Sequence, residues 1–123
     1  MDVAERAAGL ESGAVLVDCL TLWLSNLILR NEPEERIAAR LARLCDEAAG
    51  APHDTVIVTN EVGLSLVPES ALGRLFRDIA GRSHKQLAAR AAEVYLAVMG
   101  MVLRLKPSPV ETVVNPEYSR EGS

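Results

Sequence analysis

Two apolar runs in this chain end on polar side chains suited to binding charged ligands. Ala14-Val15-Leu16-Val17 stops at Asp18, and Val56-Ile57-Val58-Thr59 stops at Asn60-Glu61, with Gly63 two residues further on. A carboxylate at the end of a buried strand can hold Mg²⁺ directly or through water in phosphoryl-transfer chemistry. The same carboxylate could instead cap the helix that follows by accepting a free backbone N–H. Glu61 could orient a nucleophile or a ligand hydroxyl, and Gly63 lets the backbone approach a ligand. Asn and Gly also populate ordinary strand-to-loop turns. In a parallel α/β sheet, ligands bind outside the carboxyl ends of the strands. Two such strand ends together suggest a site for a polyanion and a metal.

A second constellation lies on a long helical stretch. Arg74, Arg77 and Asp78 stand three and four residues apart. They could clamp a phosphate, but spacing alone favours a surface ion pair between Arg74 and Asp78, worth about 0.3–0.5 kcal/mol. His53 and His84 have no metal-ligand pattern and no recognisable partner, so neither is a strong acid–base candidate. Ser65 and Ser70 lack a nucleophile-elbow context. A phosphate loop needs a lysine between a glycine and a hydroxyl residue. The only lysines are Lys85, after His84, and Lys106, after Leu105, so neither can serve.

The elements that must position these residues follow from apolar periodicity. Residues 14–19 read as a strand buried on both faces. Thr21 to Ile28 is apolar almost all round and reads as a helix packed on the sheet, with Trp23 in the core. Pro33 can open the next helix at its first position. Over residues 33–49, Ile37, Leu41, Leu44, Cys45 and Ala48 form one stripe opposite a charged face. Residues 55–60 are the second strand. A helix from Pro68 carries Leu72, Leu75, Phe76, Ile79, Ser83, Leu87 and Ala91 along one side. Residues 93–98 and 101–106 are two strands close enough to pair antiparallel through a tight turn. The tail from 107 to 123, with Pro107, Pro109 and Pro116, is expected to be disordered or loosely attached. Residues 2–10 are a candidate short helix. Helices alternating with strands imply α/β with a mainly parallel sheet, in one domain over residues 1–106.

Composition bounds the function classes. The chain has 123 residues, of which 49% are hydrophobic and 24% charged, as in ordinary globular domains. Aromatic residues are only 3%, so the core must come from Leu, Val, Ile and Ala. A net charge of −4 gives no electrostatic reason to expect nucleic acid as a partner. Cys19 and Cys45 have neither metal-ligand nor redox spacing and read as buried thiols in a reducing, cytoplasmic compartment. No apolar run approaches the roughly 20 residues that span a bilayer. The N-terminus does not resemble a signal peptide.

The segments Val15 to Leu27, Val58-Thr59-Asn60-Glu61-Val62-Gly63, Val67-Pro68-Glu69 and Arg74-Leu75-Phe76-Arg77-Asp78-Ile79-Ala80-Gly81 stand in that order. Together they resemble the C-terminal portion of the bifunctional adenosylcobinamide kinase/adenosylcobinamide-phosphate guanylyltransferase family of cobalamin biosynthesis, over about residues 14 to 106. The resemblance implies a P-loop α/β fold of recombinase type with flanking helices, here without its N-terminal P-loop strand. It implies phosphorylation of the aminopropanol hydroxyl of adenosylcobinamide by ATP or GTP. Transfer of GMP from GTP onto that phosphate would follow, through a guanylylated histidine. Mg²⁺ and a homotrimer are implied as well. Carried over, Asp18 matches an acid contacting nucleotide or its metal. Asn60, Glu61 and Gly63 match a loop beside the site, and Arg74, Arg77 and Asp78 match a helix motif.

The departures have consequences of their own. The family's glycine-lysine-serine loop and its GMP-carrying histidine both lie before the resembling region, and neither His53 nor His84 takes that histidine's place. Where the family usually reads Gly-x-x-Asn-Gln, this chain has Gly81-Arg82-Ser83-His84-Lys85; where the closing strands usually read Ser-Gly-Leu-Pro or similar, it has Met99-Gly100-Met101-Val102. Without the loop nothing positions the β- and γ-phosphates, so the chain is expected to be truncated relative to the family and inactive alone. Unpaired strand edges and exposed apolar surface are expected too. The competing reading is a non-catalytic α/β module that binds nucleotide or a full-length partner.

Overall fold

The computed structural model describes residues 13–61 and 70–115. The candidate helix at 2–10, together with Gly63 and Pro68, lies outside them. The chain divides into two compact units, 1–89 and 90–123.

In the first unit, β1 (Ala14–Asp18) and β2 (Asp54–Val58) pair in parallel, with Ala14 opposite Asp54 and Asp18 opposite Val58. Parallel neighbours need a long crossover, and here α1 (Leu20–Leu29) and α2 (Glu34–Gly50) supply it. Helix α3 (Ala71–Arg90) completes the unit. The core is built at helical spacing from Leu20, Leu24, Leu27 and Ile28 on α1, Ile37 and Leu41 on α2, and Ile79 and Ala80 on α3. Trp23, Leu44, Ile57, Phe76 and Leu87 pack against it.

Helix boundaries have local causes. Helix α1 ends in a Schellman motif. Asn31 takes the left-handed conformation at φ 58°, its N–H reaches Ile28 O at 3.0 Å, and the Glu32 N–H reaches Leu27 O at 3.1 Å. Pro33 is the N-cap of α2 rather than its first residue, and Glu34 and Glu35 fill a first turn that favours negative charge. At the start of α3 the Ser70 hydroxyl accepts the Gly73 N–H at 2.9 Å, so this serine has a capping role. Two links hold α3 to α2. Gln86 Nε2 donates to Ala38 O at 2.8 Å, and Arg82 pairs with both carboxylate oxygens of Glu34.

Several expectations about burial are corrected. Strands β1 and β2 alternate in exposure rather than being buried on both faces. Leu16 is 64% exposed and Val56, its register partner, 52%. Among the described residues the helices pack on the side of this two-stranded sheet that carries Ile57. Leu22 and Leu29 are exposed, so α1 is buried along one stripe and not all round. Leu72 and Leu75 likewise point to solvent, and the apolar side of α3 runs through Phe76, Ile79, Ala80, Ser83 and Leu87.

The second unit is an antiparallel sheet ordered β3 (Val94–Val98), β4 (Met101–Lys106), β5 (Glu111–Val114). The expected hairpin is present, with Val98 opposite Met101. Its two-residue turn has Met99 at φ 51° and Gly100 at φ 76°, as a right-twisted hairpin requires. The expected single, mainly parallel sheet is not found; the described strands form two separate sheets. Among the described residues the parallel part is β1 and β2, and β3 pairs with β4. A two-residue turn closes at far lower entropic cost than a crossover to a distant strand. The tail expected to be disordered contributes β5, where Glu111 stands opposite Arg104 and the two side chains pair at 3.0 Å.

Leu41 is fully buried and Leu22 is 63% exposed. Leu41→Ala should cost about 2–5 kcal/mol of unfolding free energy, and Leu22→Ala less than about 1 kcal/mol. Urea denaturation of both variants checks this, and equal losses would contradict the packing. Met99 is a non-glycine residue in left-handed backbone, so Met99→Asn should raise stability by about 1 kcal/mol, read as a higher melting temperature.

Candidate functional site

The parallel register brings Asp18 and Val58 side by side, so the chain leaves both strands at the same end. Asp18 is exposed there, followed by Cys19; Thr59, Asn60 and Glu61 follow β2. Strand β2 stops at Val58, which leaves Thr59 and Asn60 free of the ladder to make other bonds. The N-cap of α1 is Cys19, without a side-chain capping bond. Asp18 is therefore not the capping residue. The first turn of α1 carries no acidic side chain.

A chain of hydrogen bonds crosses these strand ends. The Asn60 N–H donates to Thr21 Oγ1 at 2.9 Å. Thr21 Oγ1 lies 3.0 Å from Thr59 Oγ1, which in turn lies 2.7 Å from His84 Nε2. Four residues, from α1, α3 and the segment that follows β2, are thereby joined. His84 is half-buried, and burial holds its pKa below the ordinary histidine value, while the nearby Glu61 carboxylate acts in the opposite direction. Next to this chain lies an open pocket of about 330 Å³ lined by Cys19, Thr21, Leu22, Ser25, Asn60 and Phe76. That size falls at the small end of ligand pockets. Its lining mixes hydroxyl, thiol and amide groups with two apolar side chains.

The arrangement unites Asp18, Asn60 and Glu61 at one end of the sheet. The residues of the α3 motif sit differently. Phe76 is the α3 residue that lines the pocket, whereas Arg77 pairs with its neighbour Asp78 at 3.3 Å and Arg74 is exposed. Sequence pattern does not mark Thr21 or Thr59, and His84, expected to lack a partner, has one in Thr59. The available signal was a polar pair, Ser83-His84, inside the apolar side of a helix. Ser83 is buried. Cys45 is buried and Cys19 half-buried, both as free thiols.

A nucleotide and Mg²⁺ can be tested against this donor set. Among the described residues no group of three or more His, Cys, Asp or Glu side chains could hold a metal by itself. Mg²⁺ commonly takes one or two carboxylates together with substrate phosphates and waters, and the exposed Asp18 fits that role. The N-cap of α1 makes no side-chain capping bond, and helix N-termini suit anions.

The stability of the folded chain should depend on His84. Its folded pKa is lowered, so on acidification the unfolded chain takes up the proton first. The stability is fully present above about pH 6.5 and is lost as pH falls from there towards the lowered folded value. His84→Asn should flatten that part of the profile, measured by denaturation at a series of pH values. A wild-type stability that rises on acidification through the window would contradict the burial of a neutral ring.

Comparison of the sequence with known proteins finds relatives. Residues 1–105 match the family described as Cobinamide kinase / cobinamide phosphate guanyltransferase. The bifunctional adenosylcobalamin biosynthesis protein CobU of Salmonella typhimurium is 40% identical over 105 residues, covering 76% of this chain and 58% of the relative. The protein of the same name from Escherichia coli is 41% identical over 104 residues, covering 75% and 58%. The bifunctional adenosylcobalamin biosynthesis protein CobP of Pseudomonas aeruginosa is 41% identical over 97 residues, covering 78% and 55%. The chain thus spans under three-fifths of the length of these curated relatives.

Proposed function

This chain belongs to the cobinamide kinase/cobinamide phosphate guanyltransferase family, and we propose that it forms the C-terminal portion of such an enzyme. In that reading the fold is a P-loop-type α/β domain over residues 1–106, to which the parallel β1–β2 pair belongs. The substrates are adenosylcobinamide and GTP or ATP, and the setting is cytoplasmic. The observation that carries the reading is the register of β1 and β2, which delivers Asp18 and Asn60-Glu61 to one edge of the sheet. Ligands of parallel α/β sheets bind at that edge.

Each residue has a role in this proposal. Asp18 is the carboxylate ligand for Mg²⁺, directly or through water. When bound, the metal neutralises charge on the nucleotide phosphates. Asn60, held by its bond to Thr21, fixes the loop against the nucleotide. Glu61 orients a hydroxyl of the ligand, and Gly63 admits the ligand close to the backbone. Arg74, Arg77 and Asp78 act as a helix motif bordering the nucleotide or a neighbouring subunit of a homotrimer. Positioning of the phosphates is nearly all of phosphoryl-transfer catalysis. Neither Lys85 nor Lys106 stands in a phosphate loop. These 123 residues alone therefore transfer neither phosphate nor GMP.

A second reading is favoured by the exposed Leu16 and Val56 on the outer face of the parallel pair. Parallel sheets are ordinarily covered on both faces. A non-catalytic module that associates with a full-length copy would use this face.

The purified chain is assayed with Mg²⁺, ATP or GTP and adenosylcobinamide. The assay is repeated with a polypeptide covering the N-terminal part of a relative added. The proposal expects no product from the chain alone and product from the mixture. In the mixture, Asp18→Asn should lower kcat/KM on the order of 100-fold. Turnover by the chain alone, or an Asp18→Asn mixture as active as the parent, would overturn the assignment. Tight association without turnover would favour the module.

A further inference from the structure

The hydrogen-bond chain from His84 to Asn60 has a property that the nucleotide reading does not use. A threonine hydroxyl has one proton to donate and two lone pairs. Thr59 Oγ1 bonds both His84 Nε2 and Thr21 Oγ1, and Thr21 Oγ1 also accepts from the Asn60 N–H. The direction of the donors along the row is therefore constrained by the histidine.

We propose that His84, Thr59 and Thr21 form a relay in which the state of the His84 ring decides whether Thr21 offers the pocket a hydroxyl proton or a lone pair. With Nε2 bare, Thr59 donates to His84. Its only proton is then committed, so Thr21 must donate to Thr59. Thr21 accepts from Asn60 and keeps one lone pair open to the pocket. With a proton on Nε2, Thr59 accepts from His84, and its own O–H is freed to donate to Thr21. Both lone pairs of Thr21 are then filled, by Thr59 and Asn60, and its O–H turns towards the pocket that Thr21 lines. The first state suits a ligand that donates, such as a hydroxyl or an amine. The second suits a ligand that accepts, such as a phosphoryl or carbonyl oxygen. His84 is thus a positioning residue, acting on the ligand through two threonines.

The distances favour the first state as the resting one. The Thr59–His84 separation of 2.7 Å is short for an N–H donor and ordinary for a hydroxyl donor. Burial of the ring also favours its neutral form. Among the described residues the charges around His84 are few. Glu61 beyond β2 acts on it, α1 has no ionisable side chain, and on α3 the neighbouring Arg82 is paired to Glu34 of α2. Lys85 is exposed. At the end of β1 stand Asp18, exposed, and the Cys19 thiol. In the first state Thr21 both donates and accepts, which strengthens its oxygen as an acceptor for Asn60. Protonation of His84 removes that reinforcement.

The test is a pH titration of the full chain by NMR, following the ring nitrogens of His84 and the backbone amide of Asn60. The relay expects a bare Nε2 at high pH. It expects the Asn60 amide proton to move upfield on acidification with the midpoint of His84. In Thr59→Val, His84 should still titrate while Asn60 no longer follows it. Thr59→Ser, which keeps the hydroxyl, should restore the coupling. Asn60 following His84 equally in Thr59→Val would mean that charge acts through space, and the relay would be overturned. A protonated Nε2 at high pH, or an Asn60 amide that ignores His84 in the parent, would overturn it as well. None of these readings requires nucleotide, so the relay can fail while the kinase reading stands, and the reverse.

Discussion

The Asn60 amide donates to the Thr21 hydroxyl at 2.9 Å, tying the loop after β2 to the first turn of α1. These two residues are 39 positions apart in the chain. The bond satisfies a backbone donor that the sheet ladder no longer reaches, since β2 ends at Val58. It fixes where the chain goes after the strand, and so where Asn60 and Glu61 stand relative to Asp18. The core beneath it, from Leu20 and Leu24 through Ile37 and Leu41 to Ile79 and Ala80, holds the helices that carry the partners. Packing sets the frame, and a few polar bonds set the site within it.

Much of this frame was legible in the residues. The stripe Ile37, Leu41, Cys45 on α2 is buried as its spacing implies. The turn at Met99-Gly100 joins two strands that pair as their proximity requires. The outer face of β1 and β2 was not legible. A continuous apolar run reads as buried on both sides, but burial needs a covering layer, and the helices here pack on one side. Strand β5 was missed because Pro107 and Pro109 mark a break. The pairing of Arg104 with Glu111 across the sheet has no local signature.

The grouping of Asp18, Asn60 and Glu61 at one end of the parallel pair was legible, and the hydrogen bonds beside it were not. Asp18, Asn60 and Glu61 stand out because they end apolar runs. Thr21, Thr59 and His84 do not, because each is unremarkable in its own segment and their contacts span 25 to 39 residues. The arginine motif reads as a possible ion pair between Arg74 and Asp78, whereas the side chain that pairs with Asp78 includes its immediate neighbour, Arg77. The chemistry proposed for the chain rests on family membership, since the geometry alone leaves it open. The chain spans 55% to 58% of the curated relatives.

Thr21 and Thr59 act as one hydrogen-bonded unit at the strand ends, and the position of Asn60 rests on it. A double-mutant cycle with Thr21→Val, Thr59→Val and the combined variant, read by urea denaturation, measures that. If the two hydroxyls are bonded in the folded chain, the losses are non-additive, with a coupling of at least about 0.5 kcal/mol. Losses that add to within about 0.3 kcal/mol would show that the threonines act independently, and the wiring of the site described here would be wrong.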